Sequence, residues 1–152
     1  MNATKPMEIN THIMGIKDLD RVCELEERSF SMPWKREDFE DLIARDDATY
    51  VVLTVDDIVM GTAGYTYNGF EGYINNVVID EAVRGQGLSK ILLEACLNEG
   101  RKNGVHEFTL EVRVSNTPAI RLYEGFGFKS EGVRKNFYER PTEDAYVMWL
   151  RE

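Results

Sequence analysis

Basic residues are in short supply in this chain of 152 residues: 18 Lys and Arg stand against 27 Asp and Glu, a formal net charge of −9 at pH 7. That balance argues against a non-specific binder of nucleic acid or of anionic membranes, since both need clustered cations. It is compatible with a basic partner, and equally with a charge that only keeps the protein soluble. Cysteine is scarce too. Cys23 and Cys96 lie far apart within apolar patterns, and no CxxC or Cys/His spacing suggests a metal or redox site. Reduced, buried thiols in a reducing compartment are the simplest account. Met1 is followed by Asn2-Ala3-Thr4-Lys5-Pro6, which lacks the apolar centre of a signal peptide. The apolar runs are only a few residues long, so none spans a bilayer. Repeats, low-complexity segments and domain linkers are missing as well. The expectation is a cytoplasmic protein with residues 1–152 forming one domain.

What the chain does have is a globular composition, 43% hydrophobic and 30% charged, and a readable order of elements. Asp18 to Phe30 carries Leu19, Val22, Cys23 and Leu25 at near-helical spacing, with Asp18 and Asp20 suited to a helix N-terminus. Ser31-Met32-Pro33-Trp34 breaks that pattern, and Lys35 to Arg45 resumes as a short helix. Glu24-Leu25-Glu26-Glu27-Arg28 reads as a solvated helix face, and His12 and His106 as surface or turn residues. Tyr50–Val55 and Ile58–Tyr67 read as strands joined by a turn at Asp56-Asp57. Asn68-Gly69 is the expected turn of a second hairpin, extended by Glu71-Gly72, with Tyr73–Ile79 the next strand. Then come a loop, a helix over Leu88–Lys102 stopped at Asn103-Gly104, a strand over His106–Val114, and a helix over Pro118–Phe126. Phe128–Asn136 and Ala145–Leu150 close the chain as strands. Antiparallel hairpins, one crossover and a closing hairpin predict an α/β mixed sheet with helices on both faces. A right-handed crossover sets the Tyr73 strand parallel to the His106 strand.

The strongest local signal runs from Val77 to Ser89, where a strand enters the loop Arg84-Gly85-Gln86-Gly87 and opens the long helix at Leu88. Loop amides and a helix N-terminus offer unpaired N–H donors and partial positive charge, a site for a phosphate or pyrophosphate. Gly85 and Gly87 let the backbone approach an anion without a Cβ in the way. The pattern is neither a Walker loop nor GxGxxG, and alone it is as readily turn chemistry. Further on, Phe108, Leu110, Val112 and Val114 alternate with Thr109, Glu111, Arg113 and Ser115, so Glu111 and Arg113 share the face opposite the core. In the helix after it, Ile120 and Tyr123 share a face.

Arg84-x-x-Gly87-x-Ser89, Leu110-Glu111-Val112-Arg113-Val114-Ser115-Asn116 and Ala119-Ile120-Arg121-Leu122-Tyr123-Glu124-Gly125-Phe126-Gly127-Phe128 together resemble the GNAT superfamily of N-acetyltransferases. Phe30-Ser31-Met32-Pro33-Trp34, Arg134-Lys135-Asn136-Phe137-Tyr138 and Glu143-Asp144-Ala145 bring the chain nearest to the RimI-like bacterial ribosomal-protein-alanine N-acetyltransferases. The resemblance covers about Asp18 to Leu150. It implies a GNAT fold using acetyl-CoA as co-substrate, with no metal. The backbone of Val77, Val78 and Ile79 would bind the pantetheine arm as an added strand. Arg84, Gly85, Gln86, Gly87, Leu88 and Ser89 would hold the pyrophosphate, and Asn116 would contact the cofactor near its thiol. Glu111 would be the general base and Tyr123, also against the cofactor, the general acid. Trp34 and Tyr138 would line the acceptor groove, though packing explains both equally well. The family usually has Gly or Ala at Ser89; a serine keeps its N–H and could cap the helix.

The chemistry asks for these residue types in any case. An ammonium must lose a proton before attacking a thioester, and a departing thiolate needs one. No cysteine lies in the motifs, which favours direct attack in a ternary complex. The implied acceptor is a protein N-terminus, most simply that of a basic ribosomal protein, with no nucleic acid or membrane partner and a monomer or weak dimer. A small-molecule amine, a lysine side chain, or a non-catalytic acyl-CoA-binding role are the alternatives.

Overall fold

The computed structural model describes residues 6–152, at Asn76 the backbone only. The segment Met1 to Lys5, on which the signal-peptide reading was made, lies outside the described residues. Among the described residues, no helix is long and apolar enough to cross a membrane.

The elements run β1 (Ile9–Ile13), α1 (Leu19–Ser29), α2 (Arg36–Ile43), β2 (Ala48–Val55), β3 (Ile58–Asn68) and β4 (Glu71–Ile79). They continue with α3 (Leu88–Lys102), β5 (Glu107–Arg113), α4 (Thr117–Gly125), β6 (Lys129–Tyr138) and β7 (Glu143–Arg151). One seven-stranded sheet has the order β1-β2-β3-β4-β5-β7-β6. Every neighbouring pair is antiparallel except β4 and β5, the pair joined by the α3 crossover. The expected mixed sheet and parallel pair are therefore present.

Three local readings need correction. An N-terminal strand precedes the first helix: β1 pairs Ile9–Ile13 with Val55–Val51 along one edge of the sheet. Its five residues, mostly exposed, carry too little hydrophobic alternation to announce it. The second hairpin turn is Gly69-Phe70, since Asn68 and Glu71 face each other in the register and Glu71-Gly72 belong to β4. His12 sits in β1 and bonds the buried Asp18 carboxylate at 3.0 Å, so it is neither a free surface residue nor in a turn; His106 is exposed.

Helices cover both faces. On one, α3 buries Leu88, Leu92, Leu93, Cys96 and Leu97 against Leu53, Tyr65, Phe108 and Leu110. On the other, Leu19, Val22 and Leu25 of α1 and Phe39 and Leu42 of α2 pack on Tyr50, Val52 and Val78. The alternation of β5 is strict, with Phe108, Leu110 and Val112 buried and Thr109, Glu111 and Arg113 partly exposed. This is the face assignment expected from its sequence.

The feature that makes room for a ligand is the short pairing of β4 with β5. It covers only Glu71–Tyr73 against Glu107–Thr109, and the strands then separate. On the other side of β4, Thr62 faces Val78 while Gly64 faces Asn75, so β4 carries one extra residue there. A bulge of that kind bends a strand and increases its twist. Beyond it, Val78 and Ile79 are paired on one edge only, to β3, and their other edge faces the opening.

Candidate active site

Two cavities fill the opening. The first, of about 750 Å³, is lined by β4 from Val77 to Ile79, the loop Arg84, Gly85 and Gly87, the start of α3, and the inner face of α4. Backbone forms one side of it, and Lys90, Asn116, Arg121 and Tyr123 lie on the others. Val78, Ile79 and Leu88 send their side chains into the core, so the main chain is what they offer the cavity. Gly85 and Gly87 have φ of +80° and +75°, and a Cβ at either would meet no atom within 4 Å. The glycines are thus required by backbone conformation and by whatever approaches, not by packing. Gly87 is the N-cap of α3, so the free N–H groups of the first turn and the positive end of the helix dipole face the opening. This open strand edge, glycine loop and helix start fit the arm and pyrophosphate of a cofactor such as acetyl-CoA.

Asp80 anchors this loop. Its Oδ1 accepts the Ala82 N–H at 2.9 Å and its Oδ2 pairs with Arg21 of α1. The Ala82 amide, then Arg21, hold the Asp80 carboxyl below the usual carboxylate range. Arg84 folds back, its Nε donating to the Ile79 carbonyl at 3.1 Å.

The second cavity, of about 390 Å³, is built from side chains. Glu26, Phe30, Met32 and Trp34 come from α1 and the α1–α2 connection, Tyr73 from β4, Glu111 from β5, and Phe137 and Tyr138 from β6. The two cavities share Ser29, Phe30, Val77, Asn116, Ala119 and Tyr123 as walls and so meet between the end of α1, β4 and α4. Phe30, Met32 and Phe137 form an exposed apolar rim.

At the centre is Glu111, its side chain 8% exposed. Its Oε2 accepts a very short hydrogen bond from the Tyr73 hydroxyl. Its Oε1 lies 3.3 Å from Arg134 Nε of β6. Burial pushes the Tyr73 phenol well up, with the Glu111 hydrogen bond adding to it. Tyr138 is raised to about 12, by burial first and Glu111 second. Its ring carries the Arg113 guanidinium 4.3 Å from its centroid. Arg113 also donates to the Pro141 carbonyl at 3.0 Å and pairs with Glu143 at 3.2 Å, which ties the β6–β7 hairpin over the cavity. Tyr123 is buried, its ring 5.8 Å from Phe128, and burial raises its phenol above the ordinary range.

Glu26 corrects the sequence reading. It is not part of a solvated face but 1% exposed, with Oε1 accepting the Trp34 N–H at 3.1 Å. Burial raises its carboxyl to about 7, and the Trp34 bond opposes this. Helical spacing from Val22 turns Glu26 inward with Leu19 and Leu25, but charge disguised it.

Of the residues expected at a cofactor or acceptor site, all but Gln86 line a cavity; Gln86 is exposed between the two glycines. Ser89 lines the first cavity from the second position of α3, so it does not cap the helix; Gly87 does. Asn116 caps α4, its Oδ1 accepting the Ala119 N–H at 3.3 Å. Trp34 both lines the cavity and packs, 5.4 Å from Phe39 and 6.1 Å from Tyr50. Glu26, Tyr73 and Arg134 carry no local sequence mark that points to the site. Only the register of β4 on β5, with Tyr73 opposite Thr109, brings Tyr73 to Glu111. Among the described residues, no group of three or more His, Cys, Asp or Glu is placed to hold a metal ion.

Comparison with known proteins agrees with this geometry. The acetyltransferase (GNAT) family model matches residues 19–128. A ribosomal protein bS18-alanine N-acetyltransferase of Salmonella typhimurium is 33% identical over 144 residues, covering 91% of this chain and 94% of the relative. The crystal structure of the ribosomal-protein-S18-alanine N-acetyltransferase from Escherichia coli superposes with a TM-score of 0.87 at 30% identity, covering 95% of this chain and 94% of that one. Ard1 from Thermoplasma volcanium does so with a TM-score of 0.85 at 27% identity, over 94% and 97% of the two chains.

Proposed function

The chain belongs to the acetyltransferase (GNAT) family and is an acetyl-CoA-dependent N-acetyltransferase; we propose that its acceptor is a protein N-terminal α-amine, the N-terminal alanine of a small-subunit ribosomal protein. The observation that carries this reading is the junction of the two cavities. A backbone-built channel meets, at Asn116 and Tyr123, a side-chain pocket centred on Glu111. The exposed rim of Phe30, Met32 and Phe137 suits an extended peptide better than a compact amine, because it continues the binding surface beyond the pocket. A net charge of −9 favours a basic partner. The relatives that act on a ribosomal protein support the same acceptor. Such an acceptor is met in the cytoplasm, and we read the enzyme as a cytoplasmic monomer or weak dimer.

In this reading the first cavity holds acetyl-CoA, which supplies the activated acetyl group. Val77, Val78 and Ile79 offer their open edge to the pantetheine arm. The amides from Arg84 to Ser89 hold the pyrophosphate, and the NH2 of Asn116 is the part of that side chain free to contact the thiol end. Glu111 takes the proton of the arriving ammonium, directly or through one water. The amine nitrogen then bonds the acetyl carbon, the carbon–sulfur bond breaks with its electron pair going to sulfur, and the nitrogen gives up its second proton, which offsets the one the departing thiolate takes up. Tyr123 faces the departing sulfur. A phenol is protonated at neutral pH in any case, and burial makes its anion still less favourable. Its hydroxyl therefore stabilises the thiolate by hydrogen bonding and shares the proton with it. Trp34 and Tyr138 wall the acceptor.

Mass spectrometry of peptides after incubation with acetyl-CoA tests the acceptor. The pair is a peptide with a free N-terminal alanine and an α-blocked twin carrying a lysine. Acetylation of the free α-amine alone is the expected result. Modification of the lysine twin, or of neither peptide despite cofactor binding, would overturn the assignment.

A further inference from the structure

The carboxylate of Glu111 is spoken for on both oxygens. Tyr73 donates to Oε2, and the Arg134 guanidinium pairs with Oε1 at 3.3 Å. The two partners differ in kind. Tyr73 is held within the sheet on β4, whereas Arg134 is 59% exposed on β6, the edge strand. In the register of β5 and β6 on β7, Arg113, Ala145 and Arg134 face one another across the sheet, and Glu111 lies opposite Val147. Ala145 therefore stands between Arg134 and the pocket, and its single methyl lets a long side chain cross β7 to reach Glu111. Arg134 also has somewhere to go. Its guanidinium carbon lies 6.0 Å from the Phe137 ring centre, at the outer limit of a cation–π contact.

A cation on that oxygen occupies the ground that an incoming ammonium needs. We propose that Arg134 is a displaceable stand-in for the acceptor's ammonium, and that an acceptor must exchange with it at Glu111 Oε1. This rests on the reading of Glu111 as the group that receives the amine. The exchange replaces one cation by another, so Glu111 keeps a cationic partner on Oε1 throughout, and Tyr73 stays on Oε2. It also tilts the enzyme towards acceptors that bring a full positive charge to the pocket.

The test is steady-state kinetics on the whole chain with a peptide bearing a free N-terminal alanine. An exposed ion pair is weak, so in Arg134→Gln the KM for the peptide should fall about two- to five-fold. Arg134→Lys should restore the wild-type KM. Methylguanidinium should compete with the peptide in Arg134→Gln and should not do so in the wild type. A KM that rises or stays put in Arg134→Gln overturns the proposal, since Arg134 would then bind the acceptor or do nothing there. Glu111→Gln separates the two claims. If it turns over like the wild type, the reading of Glu111 fails and the exchange with it. If it is crippled while Arg134→Gln leaves the KM unchanged, the exchange alone fails.

Discussion

The two cavities that meet at Tyr123 are made of different material. Around the first, one stretch from Val77 to Ser89 supplies an open strand edge and a glycine loop, with Lys90, Asn116, Arg121 and Tyr123 on the remaining walls, and the side chains of Val78, Ile79 and Leu88 serve the core behind it. Around the second, the ligand-facing groups are side chains drawn from α1, the α1–α2 connection, β4, β5 and β6. The first sets main-chain dipoles beside three cationic residues, Arg84, Lys90 and Arg121. The second gathers two carboxyls and three phenols, and burial has raised Glu26 and all three phenols. A backbone site holds a ligand that every turnover uses. A side-chain site can be matched to one acceptor and to proton transfer. Damage to each half should then show in a different constant.

The largest effect belongs to the side-chain half. Glu111→Gln keeps the shape and an acceptor for the Tyr73 hydroxyl but removes the carboxylate that takes the proton in the proposed mechanism. Its kcat should fall about a thousandfold, within the range for loss of a positioned base. Tyr123→Phe retains the packing on Phe128 and should lose less, about tenfold. Neither should move the dissociation constant for acetyl-CoA, measured by calorimetry. A parallel loss of cofactor affinity in Glu111→Gln would mean that the halves are not separable.

The same division governs what the sequence revealed. The first half was legible because its parts are neighbours in the chain, and because a glycine at a left-handed position is a local mark of backbone geometry. The helix over Leu88–Lys102 was read to its ends for that reason. Glu111 was legible through the alternation of β5. What could not be read was every relation between distant segments. Tyr73 and Arg134 reach Glu111 through strand registers, and β7 enters the sheet between β5 and β6. Glu26 was misread because a charged residue in the run Glu24-Leu25-Glu26-Glu27-Arg28 is ordinarily solvated. What covers it comes from beyond its own helix, where the α1–α2 connection brings the Trp34 N–H onto its Oε1.

Glu26 also yields the next effect, which sharpens the contrast between a titrating half and a silent one. Burial raises its carboxyl from 4.5 to about 7. Below pH 4.5 both the folded and unfolded chains hold the proton, and burial carries no ionic penalty. Between pH 4.5 and about 7 the unfolded chain gives up the proton while the folded one keeps it, so stability falls as pH rises. Above about 7 both are ionised and the loss is complete, on the order of 3 kcal/mol. Glu26→Gln keeps an acceptor for the Trp34 N–H and cannot ionise. Relative to that variant, the wild type should lose stability between pH 5 and pH 8 in denaturant titrations. A constant difference between the two proteins across that range would show that Glu26 is not buried as an acid.

The smallest effect tests the backbone half at Gly87. At φ +75° and ψ 11° it is in the left-handed region, where an alanine costs about 1 kcal/mol. No atom lies within 4 Å of the added Cβ, so strain rather than collision sets the penalty in the free protein. A melting temperature lowered by about 3 °C is expected. Gly64→Ala would behave quite differently, because its Cβ would run into the Tyr50 ring. In the proposed cofactor site the methyl of Gly87→Ala would stand where the pyrophosphate approaches the amides, and affinity for acetyl-CoA should fall about five-fold. The kcat at saturating cofactor should stay near that of the wild type, because Glu111 and Tyr123 are untouched. A fall in kcat with cofactor affinity intact would reverse the comparison, and would mean that the loop positions the reacting thioester rather than merely holding the carrier.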